Sequence, residues 1–496
     1  MLPLGLDACY RAIATRDARF DGKLFTGVKT TGIYCRPICP ARTPKKENVV
    51  FFASAAAAQE AGFRPCLRCR PETSPDLGAW HGTSNTVARA LRLIEAGALD
   101  AGDVDALAAR LGVGERQLRR LFKQHVGASP IAVAQTRRVL LAKQLIHETR
   151  LPMTQVALAS GFGSVRRFNE TFQQLYDRPP ASLRRMREGE ENEREGDAIT
   201  LELPYRPPYD WDAMLAFLAA RAIPGVESVR DGRYARTFAI GDASGAVSVE
   251  RSPRAGFLRV ALRSSRIEAL PAVIARVRRV FDLSADPVAI AEHLAEDPIL
   301  APRVASRPGL RVPGAWDGFE LAVRAILGQQ ITVVAARALA GKIARAAGSR
   351  VSPSVSADLT HVFPRPRALV DLDLARLGMP KARAAAIHAL ATAAARDASL
   401  FVGHGELEDV VRKLRRLPGV GEWTAQYIAM RELREPDAFP AADVGLMRAL
   451  AGADGRRPSP EELLERAERW RPWRAYAALH LWSSSPPKAA KTRRVA

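Results

Sequence analysis

After Cys69 the sequence has no further cysteine: all five, Cys9, Cys35, Cys39, Cys66 and Cys69, fall within the first 70 of 496 residues. A cysteine-held iron–sulfur cluster is thereby excluded from everything beyond that point. No window approaches eighteen uninterrupted apolar residues, which argues against a transmembrane helix. The opening stretch, MLPLGLDACYRAIATRDARF, lacks the charged head, apolar run and cleavage site of a secretory signal, so a cytoplasmic location is expected. Acidic residues are also in short supply, 53 Asp and Glu facing 74 Lys and Arg for a formal charge of +21. Residues 1–187 hold 29 of the basic and 15 of the acidic residues, so about two-thirds of the excess lies in the first two-fifths of the chain. A polyanion is the natural partner, because each neutralised phosphate releases condensed counterions. An anionic membrane would satisfy the charge too, but no lysine-rich amphipathic segment supports it, and no membrane partner is expected.

A chain of this length exceeds one hydrophobic core, so two to four domains are expected. Residues 1–75 hold the cysteines and end in the turn-rich RPETSPDLG. Residues 85–187 read as short amphipathic helices with basic faces. REGEENEREGD, apolar-poor and densely charged, gives a linker at 188–198. Beyond it, ITLELPY and GFLRVALR alternate as half-buried strands do, whereas DWDAMLAFLAARAI and LPAVIARVRRVFDL carry helical spacing. From about 310 to 482 the pattern is almost wholly helical. WDGFELAVRAILGQQITVVAARALAGKIARAAG is interrupted at Gly328, which predicts two helices or one kinked helix. PPKAAKTRRVA falls in a basic tail at 484–496.

The cysteine spacing is Cys35-x3-Cys39, then 26 residues, then Cys66-x2-Cys69. Two close pairs from distant segments can converge on one metal. Soft thiolates in a closed tetrahedron favour Zn²⁺, with a short iron–sulfur domain as the other option; spacing alone leaves a purely structural zinc open. The flanking words TTGIYCRPIC, ENVVFF and AGFRPCLRC resemble the N-terminal domain of Ada-type adaptive-response proteins over about residues 5–72. The resemblance implies a zinc-held thiolate that irreversibly takes a methyl group from a DNA phosphotriester. Cys35 matches the acceptor, with Cys39, Cys66 and Cys69 remaining ligands; Thr31, Arg42, Arg64 and Arg68 match positions near the DNA backbone. Methylation would lower the site's negative charge and raise DNA affinity, a damage-sensing switch. Cys9 has no role in this scheme.

DVDALAARLGVGERQLRRLFKQHVG (103–127) reads as helix, turn and helix. Val104, Leu107, Ala108 and Leu111 share one face; Leu118, Leu121 and Phe122 share another, leaving Arg116, Arg119, Arg120 and Lys123 outside. MTQVALASGFGSVRRFNETFQQLYDRPP (153–180) repeats the plan, with Arg166, Arg167 and Asn169 on its second helix. Two helical hairpins with solvated basic faces would fit the pattern as well. Gly161, Phe162, Ser164, Phe168 and Phe172 form a word that resembles the AraC-type paired helix-turn-helix domain. That resemblance implies a second helix of each motif in the major groove, with Arg116, Arg119, Arg166 and Arg167 as base or phosphate contacts.

LRRLPGVGEWTAQYIAMREL (414–433) is followed by DAFPAADVGLMRAL (437–450). Leu417-Pro418-Gly419-Val420-Gly421 makes a tight turn between helices, where Gly419 and Gly421 let backbone N–H groups approach a phosphate. Asp443 lies 22 residues beyond Gly421 in a short apolar loop, where a helix cap and a catalytic carboxylate are compatible readings. The arrangement resembles the helix-hairpin-helix DNA glycosylase superfamily, whose essential Asp follows the hairpin in this way. PPYDWDAMLAFLAARAIPGVESV, FELAVRAILGQQ and ERWRPWRAYAALHLW extend the likeness to AlkA-type 3-methyladenine glycosylases over about 199–483. The likeness implies that a cationic alkylated purine is flipped into a cleft and that Asp443 opposes charge developing on the sugar or orients water. Trp423, Tyr427 and Trp482 match pocket aromatics, while Trp470 and Trp473 are left to the core. Bifunctional members carry a lysine nucleophile where this chain has Trp423, so no lyase step is expected. Gln330 stands among the substrate-binding positions where an apolar wedge is usual, with Ile331 as an alternative wedge. Val444 replaces an aromatic beside the catalytic carboxylate.

The expected architecture is thus multidomain α+β: a small zinc domain (1–75), an all-α paired helix-turn-helix domain (85–187), an α/β subdomain (199–305) and an all-α helix-hairpin-helix glycosylase domain (306–483). Expected partners are double-stranded DNA, both alkylated and promoter, and RNA polymerase, with the chain acting as a monomer. A transcription regulator whose C-terminal half only binds DNA, and a glycosylase with a structural zinc, remain as alternatives. No PCHR word occurs, so an O6-alkylguanine transferase module is not expected.

Overall fold

The protein is described by a computed structural model over residues 5–74, 85–184, 198–351, 358–397, 400–401, 407–452 and 454–483. The charged REGEENEREGD segment and the basic tail lie outside the described residues. Among the described residues, no helix is long and apolar enough to cross a membrane.

Four short strands open the chain: β1 (Phe25–Val28), β2 (Ile33–Cys35), β3 (Val49–Phe52) and β4 (Arg64–Pro65). Their order is β3-β1-β2-β4, with β2 and β4 parallel and Tyr34 opposite Pro65. That single parallel pairing matters, because it brings two segments thirty residues apart in sequence to the same end of the sheet. Phe25 and Tyr34, both fully buried, pack edge to face beneath it with ring centroids 6.1 Å apart.

The two helix-turn-helix units form as their periodicity predicts. Val104–Arg110 is capped by Asp103 and followed by Glu115–His125; Met153–Ala159 is followed by Val165–Tyr176, capped by Ser164. Leu118 and Phe122, then Phe168 and Phe172, are fully buried on the inner faces. Between the units runs the long helix Pro130–Glu148.

The second sheet is antiparallel throughout: β5 (Ile199–Pro204), β6 (Glu227–Arg230), β7 (Arg233–Ile240), β8 (Ala243–Arg251) and β9 (Phe257–Ser264), in the order β5-β9-β8-β7-β6. Helices Trp211–Arg221 and Leu270–Val280 supply much of the apolar layer packed with it. The segment around Gly328 resolves into two helices, Gly318–Leu327 and Val333–Ala347, both packed in the all-helical remainder.

The apolar core does not respect the boundary expected at the charged linker. One continuous cluster joins Val139 and Ile146 of the long helix, with Phe168 and Phe172 of the second helix-turn-helix unit, to Leu201, Leu203 and Val260 of the second sheet. Polar ties cross the same seam. The Gln144 amide donates to the Glu202 carbonyl at 2.8 Å, and the Glu202 N–H donates to the Glu148 carboxylate at 3.1 Å. Further along, Arg89 forms a buried ion pair with Glu435 at 2.9 Å.

Candidate metal centre and candidate active site

Cys35 ends β2 and Cys39 follows in a turn closed by its N–H to the Arg36 carbonyl. Cys66 follows β4 directly, and Cys69 comes three residues later. The parallel β2–β4 pairing therefore converges all four sulfurs, each within 4.8 Å of the others. A tetrahedral zinc with bonds near 2.3 Å requires sulfur separations of about 3.8 Å, so the four donors fit one Zn²⁺ ion. Backbone N–H groups of Arg36 and Arg68 donate to the Cys69 and Cys66 sulfurs, each at 3.3 Å, which favours thiolate over thiol. Hydrogen bonds from the neighbouring sulfurs bring Cys39 down to about 7, while the same crowding pushes Cys35 up. Cys66 and Cys69 are buried; Cys35 and Cys39 are half-exposed, so a reactant can approach that side.

Behind the cluster lie charged groups that the sequence pattern did not single out. Arg36 is buried, donating to Asp21, to the Cys69 carbonyl at 3.2 Å and to the Thr73 hydroxyl at 2.7 Å. Lys143, on the long helix, is wholly inaccessible; its ammonium pairs with Glu72 at 2.8 Å and donates to the Cys66 carbonyl at 3.2 Å. Burial would raise the Glu72 carboxyl, but Lys143 and Arg70 hold it below the ordinary carboxylate range. Of the expected DNA-backbone contacts, Thr31, Arg42 and Arg68 are exposed. Arg64 is half-buried with its guanidinium 5.8 Å from the Tyr176 ring centroid, so it also packs the zinc domain on the second helix-turn-helix unit. Arg116 and Arg167 project freely, whereas Arg119 and Arg166 pair with Glu115 and Glu170 one turn away at 2.6 and 2.7 Å. Such exposed pairs are worth only ~0.3–0.5 kcal/mol and yield readily to a phosphate.

The second site is a cavity of about 600 Å³ between the Trp211–Arg221 helix and the helical remainder. Asp443 lies in its wall. One oxygen accepts from the Trp423 indole N–H at 2.8 Å; the other accepts from the Trp482 indole N–H at 2.9 Å and caps the helix Val444–Ala449 through the Leu446 N–H at 2.9 Å. Capping and active-site geometry thus coexist in one side chain. Trp423 and Tyr427, one helical turn apart on Glu422–Arg431, stack with centroids 5.0 Å apart and planes inclined by 11°. Trp470 is core, as expected, its indole N–H on Asp297 at 2.9 Å, and Trp473 packs against the same core.

Phe217, Arg221 and Arg431 also line the cavity, although the words that contain them gave these three residues no role. The Arg221 guanidinium lies 3.9 Å from the Phe217 ring centroid. Arg431 is held by the Pro313 and Gly314 carbonyls at 2.8 and 3.2 Å and donates to the Tyr427 hydroxyl at 2.6 Å. Burial would raise that hydroxyl, but Arg431, with Arg221 and Arg324 beyond, brings it below the ordinary tyrosine value. The cavity therefore sets the Asp443 carboxyl group and the guanidinium groups of Arg221 and Arg431 in one lining.

Gly419 and Gly421 stand at the exposed turn before Glu422–Arg431. Gly419 is left-handed at φ +77°, and a Cβ there would come within 2.5 Å of the Ala386 Cβ. A Cβ on Gly421 would meet nothing within 4 Å. Gln330, expected among the substrate-binding residues, does not line the cavity; it is exposed on the turn between two helices, while Ile331 contributes to the wall.

Comparisons with known proteins cover every part of this architecture. The metal-binding domain of Ada matches residues 8–72, a helix-turn-helix domain 107–186, the AlkA N-terminal domain 200–317, and the HhH-GPD superfamily of base excision DNA repair proteins 323–475. A Mycobacterium tuberculosis protein described as a probable bifunctional transcriptional activator/DNA repair enzyme AlkA is 44% identical over 481 residues, 96% of each chain. DNA-3-methyladenine glycosylase 2 of Escherichia coli is 37% identical over 285 residues, 56% of this chain and 95% of that one. The bifunctional transcriptional activator/DNA repair enzyme Ada of Escherichia coli is 35% identical over 156 residues, 32% of this chain and 42% of that one. Among solved structures, a 3-methyladenine DNA-glycosylase from Archaeoglobus fulgidus shares the C-terminal fold, with a TM-score of 0.50 at 22% identity over 57% of this chain and 97% of that one.

Proposed function

The chain belongs to the family of bifunctional transcriptional activators and DNA repair enzymes that joins an Ada-type metal-binding domain to an AlkA-type glycosylase, and from that premise we propose one protein that both senses and repairs DNA alkylation. The observation that carries the repair half is Asp443, held between two indole N–H groups in the wall of a cavity of about 600 Å³, roomy enough for a flipped purine.

Alkylation at N3 or N7 makes a purine cationic and a good leaving group. Flipped into the cavity, the base lies along the aromatic surface of Trp423 and Tyr427, where a cation gains ~1–2 kcal/mol when desolvated. Its neutral acceptor edge faces Tyr427 and Arg221. As the bond from C1′ to the ring nitrogen breaks, the electron pair enters the base and cancels its charge, while positive charge builds on the sugar. Asp443 opposes that charge, and water adds at C1′ with its proton passing to solvent. The reaction is hydrolysis without a lyase step, because Trp423 replaces the amine nucleophile and no lysine is among the cavity-lining residues.

In the zinc domain, Cys35 attacks the methyl carbon of a phosphotriester. A carbon–sulfur bond forms, the carbon–oxygen bond breaks, and the pair stays on the phosphate oxygen. Cys35, Cys39, Cys66 and Cys69 would hold the zinc, which when bound would keep the sulfur deprotonated. Methylation is not reversed, so each chain reacts once. The change in charge lies next to the helix-turn-helix units, whose Arg116, Arg119, Arg166 and Arg167 contact promoter DNA as the chain, acting as a monomer in the cytoplasm, recruits RNA polymerase.

The test is release of alkylated bases from methylated duplex DNA by wild type and Asp443→Asn, with intact mass read in the same preparation. A carboxylate about 4 Å from the developing charge contributes ~4 kcal/mol at an effective dielectric near 20, so release should fall about 10³-fold with DNA binding retained. Undiminished release overturns the catalytic assignment. A methyl adduct that persists in Cys35→Ser overturns the acceptor.

A further inference from the structure

We infer that Arg89, from the helix-turn-helix half, is a positioning residue for excision: its ion pair with Glu435 sets the loop that carries Asp443. The inference rests on the glycosylase reading above and adds that the regulatory half completes the excision site.

Arg89 lies on the helix Asn85–Glu95, whose Val87, Leu91 and Ile94 are buried in one cluster with Leu118 and Phe122 of the first helix-turn-helix unit. Its guanidinium nevertheless leaves that core and donates to the Glu435 carboxylate, 346 residues away, at 2.9 Å. The two side chains are only 3% and 7% exposed. Either charge alone would be costly at such a depth, so each holds the other in place.

Glu435 stands where the chain leaves the helix Glu422–Arg431, which carries Trp423 and Tyr427, and sets out for Asp443 eight residues later. The reversal pivots on Arg434, left-handed at φ +57° without being glycine. A backbone of this kind persists only where its surroundings over-determine it. Arg434 pairs with Asp282 and donates to the Val312 carbonyl at 2.8 Å, and the Glu435 N–H donates to the Ala429 carbonyl at 3.1 Å. The remaining restraint is Arg89, which comes from the other half of the chain. Farther along, Arg474 pairs with Asp437 at 2.7 Å, and the Phe439 N–H donates to the Gln426 side chain at 3.1 Å. Pro436 and Pro440 fix φ at two of the intervening positions. A loop so short and stiff has little slack to absorb a shift at its origin.

Without Arg89, Glu435 becomes a buried carboxylate that must move towards water or another cation. Arg92, one turn along the same helix, lines the same cleft and is attracted by that carboxylate, so part of the charge stays compensated. The consequence is a displaced loop and not an unfolded one. Asp443 tolerates little displacement, because its two oxygens are committed to different indoles, Trp423 at 2.8 Å and Trp482 at 2.9 Å. A misplacement of about 1 Å at a reacting centre can cost about 10²-fold in rate.

The experiment uses the full-length chain, labelled with nitrogen-15 at tryptophan, and a duplex carrying one alkylated purine. Arg89→Met should lower single-turnover excision about tenfold, with binding of a tetrahydrofuran abasic duplex within about twofold of wild type. The indole N–H resonances of Trp423 and Trp482 report the bonds to Asp443 and should shift. That of Trp211, stacked on Phe281 in the layer beside the second sheet, should not. Arg89→Lys keeps a cation within reach of Glu435 and should restore the rate to within about threefold. Arg89→Met combined with Glu435→Gln leaves no buried charge behind and should recover to about the same extent. An unchanged rate in Arg89→Met overturns the inference, and so does a slower rate with the Trp423 and Trp482 resonances unmoved. If the Trp211 resonance moves as well, marking a disrupted fold, Glu435→Gln alone decides, and unmoved Trp423 and Trp482 resonances there refute the tie. Indole shifts in a protein whose wild type releases no base overturn the glycosylase reading instead and leave Arg89 as the residue that sets the Asp443 loop.

Discussion

Lys143→Met should loosen the seam between the cysteine cluster and the helix-turn-helix region far more than a charge change on a helix normally would. In wild type the ammonium is wholly buried and meets two acceptors, Glu72 at 2.8 Å and the Cys66 carbonyl at 3.2 Å. Methionine keeps the volume and removes both. Breaking a buried ion pair destabilises by ~3–5 kcal/mol when the partner is left uncompensated. Glu72 is not fully abandoned, since Arg70 remains 3.1 Å from its other oxygen, which argues for about 2–3 kcal/mol. That corresponds to about a 30- to 150-fold rise in the local opening equilibrium. Because the loss falls at one seam, it is best read locally. The opening should be read as hydrogen exchange over residues 66–73 and as the rate at which a chromogenic chelator strips zinc. Adding Glu72→Gln supplies the internal control. The double variant carries neither unpaired charge and should recover most of the loss, giving a coupling of about 1–2 kcal/mol. Exchange and zinc release unchanged in Lys143→Met, or two losses that simply add, would refute the reasoning.

Trp482→Phe should lower single-turnover excision about 10- to 100-fold with little change in DNA affinity, because one of the two indole donors to Asp443 is lost while the aromatic surface stays; a rate within twofold of wild type contradicts this. Gly419→Ala should destabilise the hairpin by roughly 1–3 kcal/mol, through its left-handed backbone and the Ala386 contact, whereas Gly421→Ala should melt like wild type and lose DNA affinity. Thermal unfolding and fluorescence anisotropy separate the two, and equal melting temperatures would count against the geometry. His480 is buried, and desolvation together with Arg307 pushes it down to about 4 from an ordinary value of 6.5. Because its folded form favours the neutral ring, the associated stability is complete above pH 6.5 and is lost as the pH falls towards 4, ~3 kcal/mol in all. Denaturant midpoints at pH 7 and 4.5 should therefore converge in His480→Leu relative to wild type; an unchanged pH dependence would show that the titration lies elsewhere.

Much of both sites is legible in the sequence because their residues fall in short words. The cysteine spacing, the hairpin glycines and the offset to Asp443 are local, and each maps onto the structure where its word ends an element. What escapes is carried by long-range packing. Phe217 and Arg221 reach the cavity from a helix some two hundred residues before Trp423, and their own helix gives no sign of it. Lys143 did leave a mark: it shares a face with Val139 and Ile146, so a lysine stands where the helical period calls for an apolar residue. Strand β7 was not singled out because Tyr234, Ala235, Arg236, Thr237 and Phe238 are all buried, which erases the alternation that marks a half-buried strand. Arg236 is paired there with Glu320 at 2.7 Å, a partner eighty-four residues away.

The core shared by the second helix-turn-helix unit and the second sheet bears on inheritance. Two activities joined by a tether alone can be separated again by recombination, each half surviving the cut. Here a break between residues 184 and 198 would strand Phe168 and Phe172 on one fragment and Leu201 and Val260 on the other, each having lost part of its covering. Both fragments would carry a sticky apolar face, and neither would be a neutral intermediate. A shared apolar core of this kind favours keeping the two halves in one gene product.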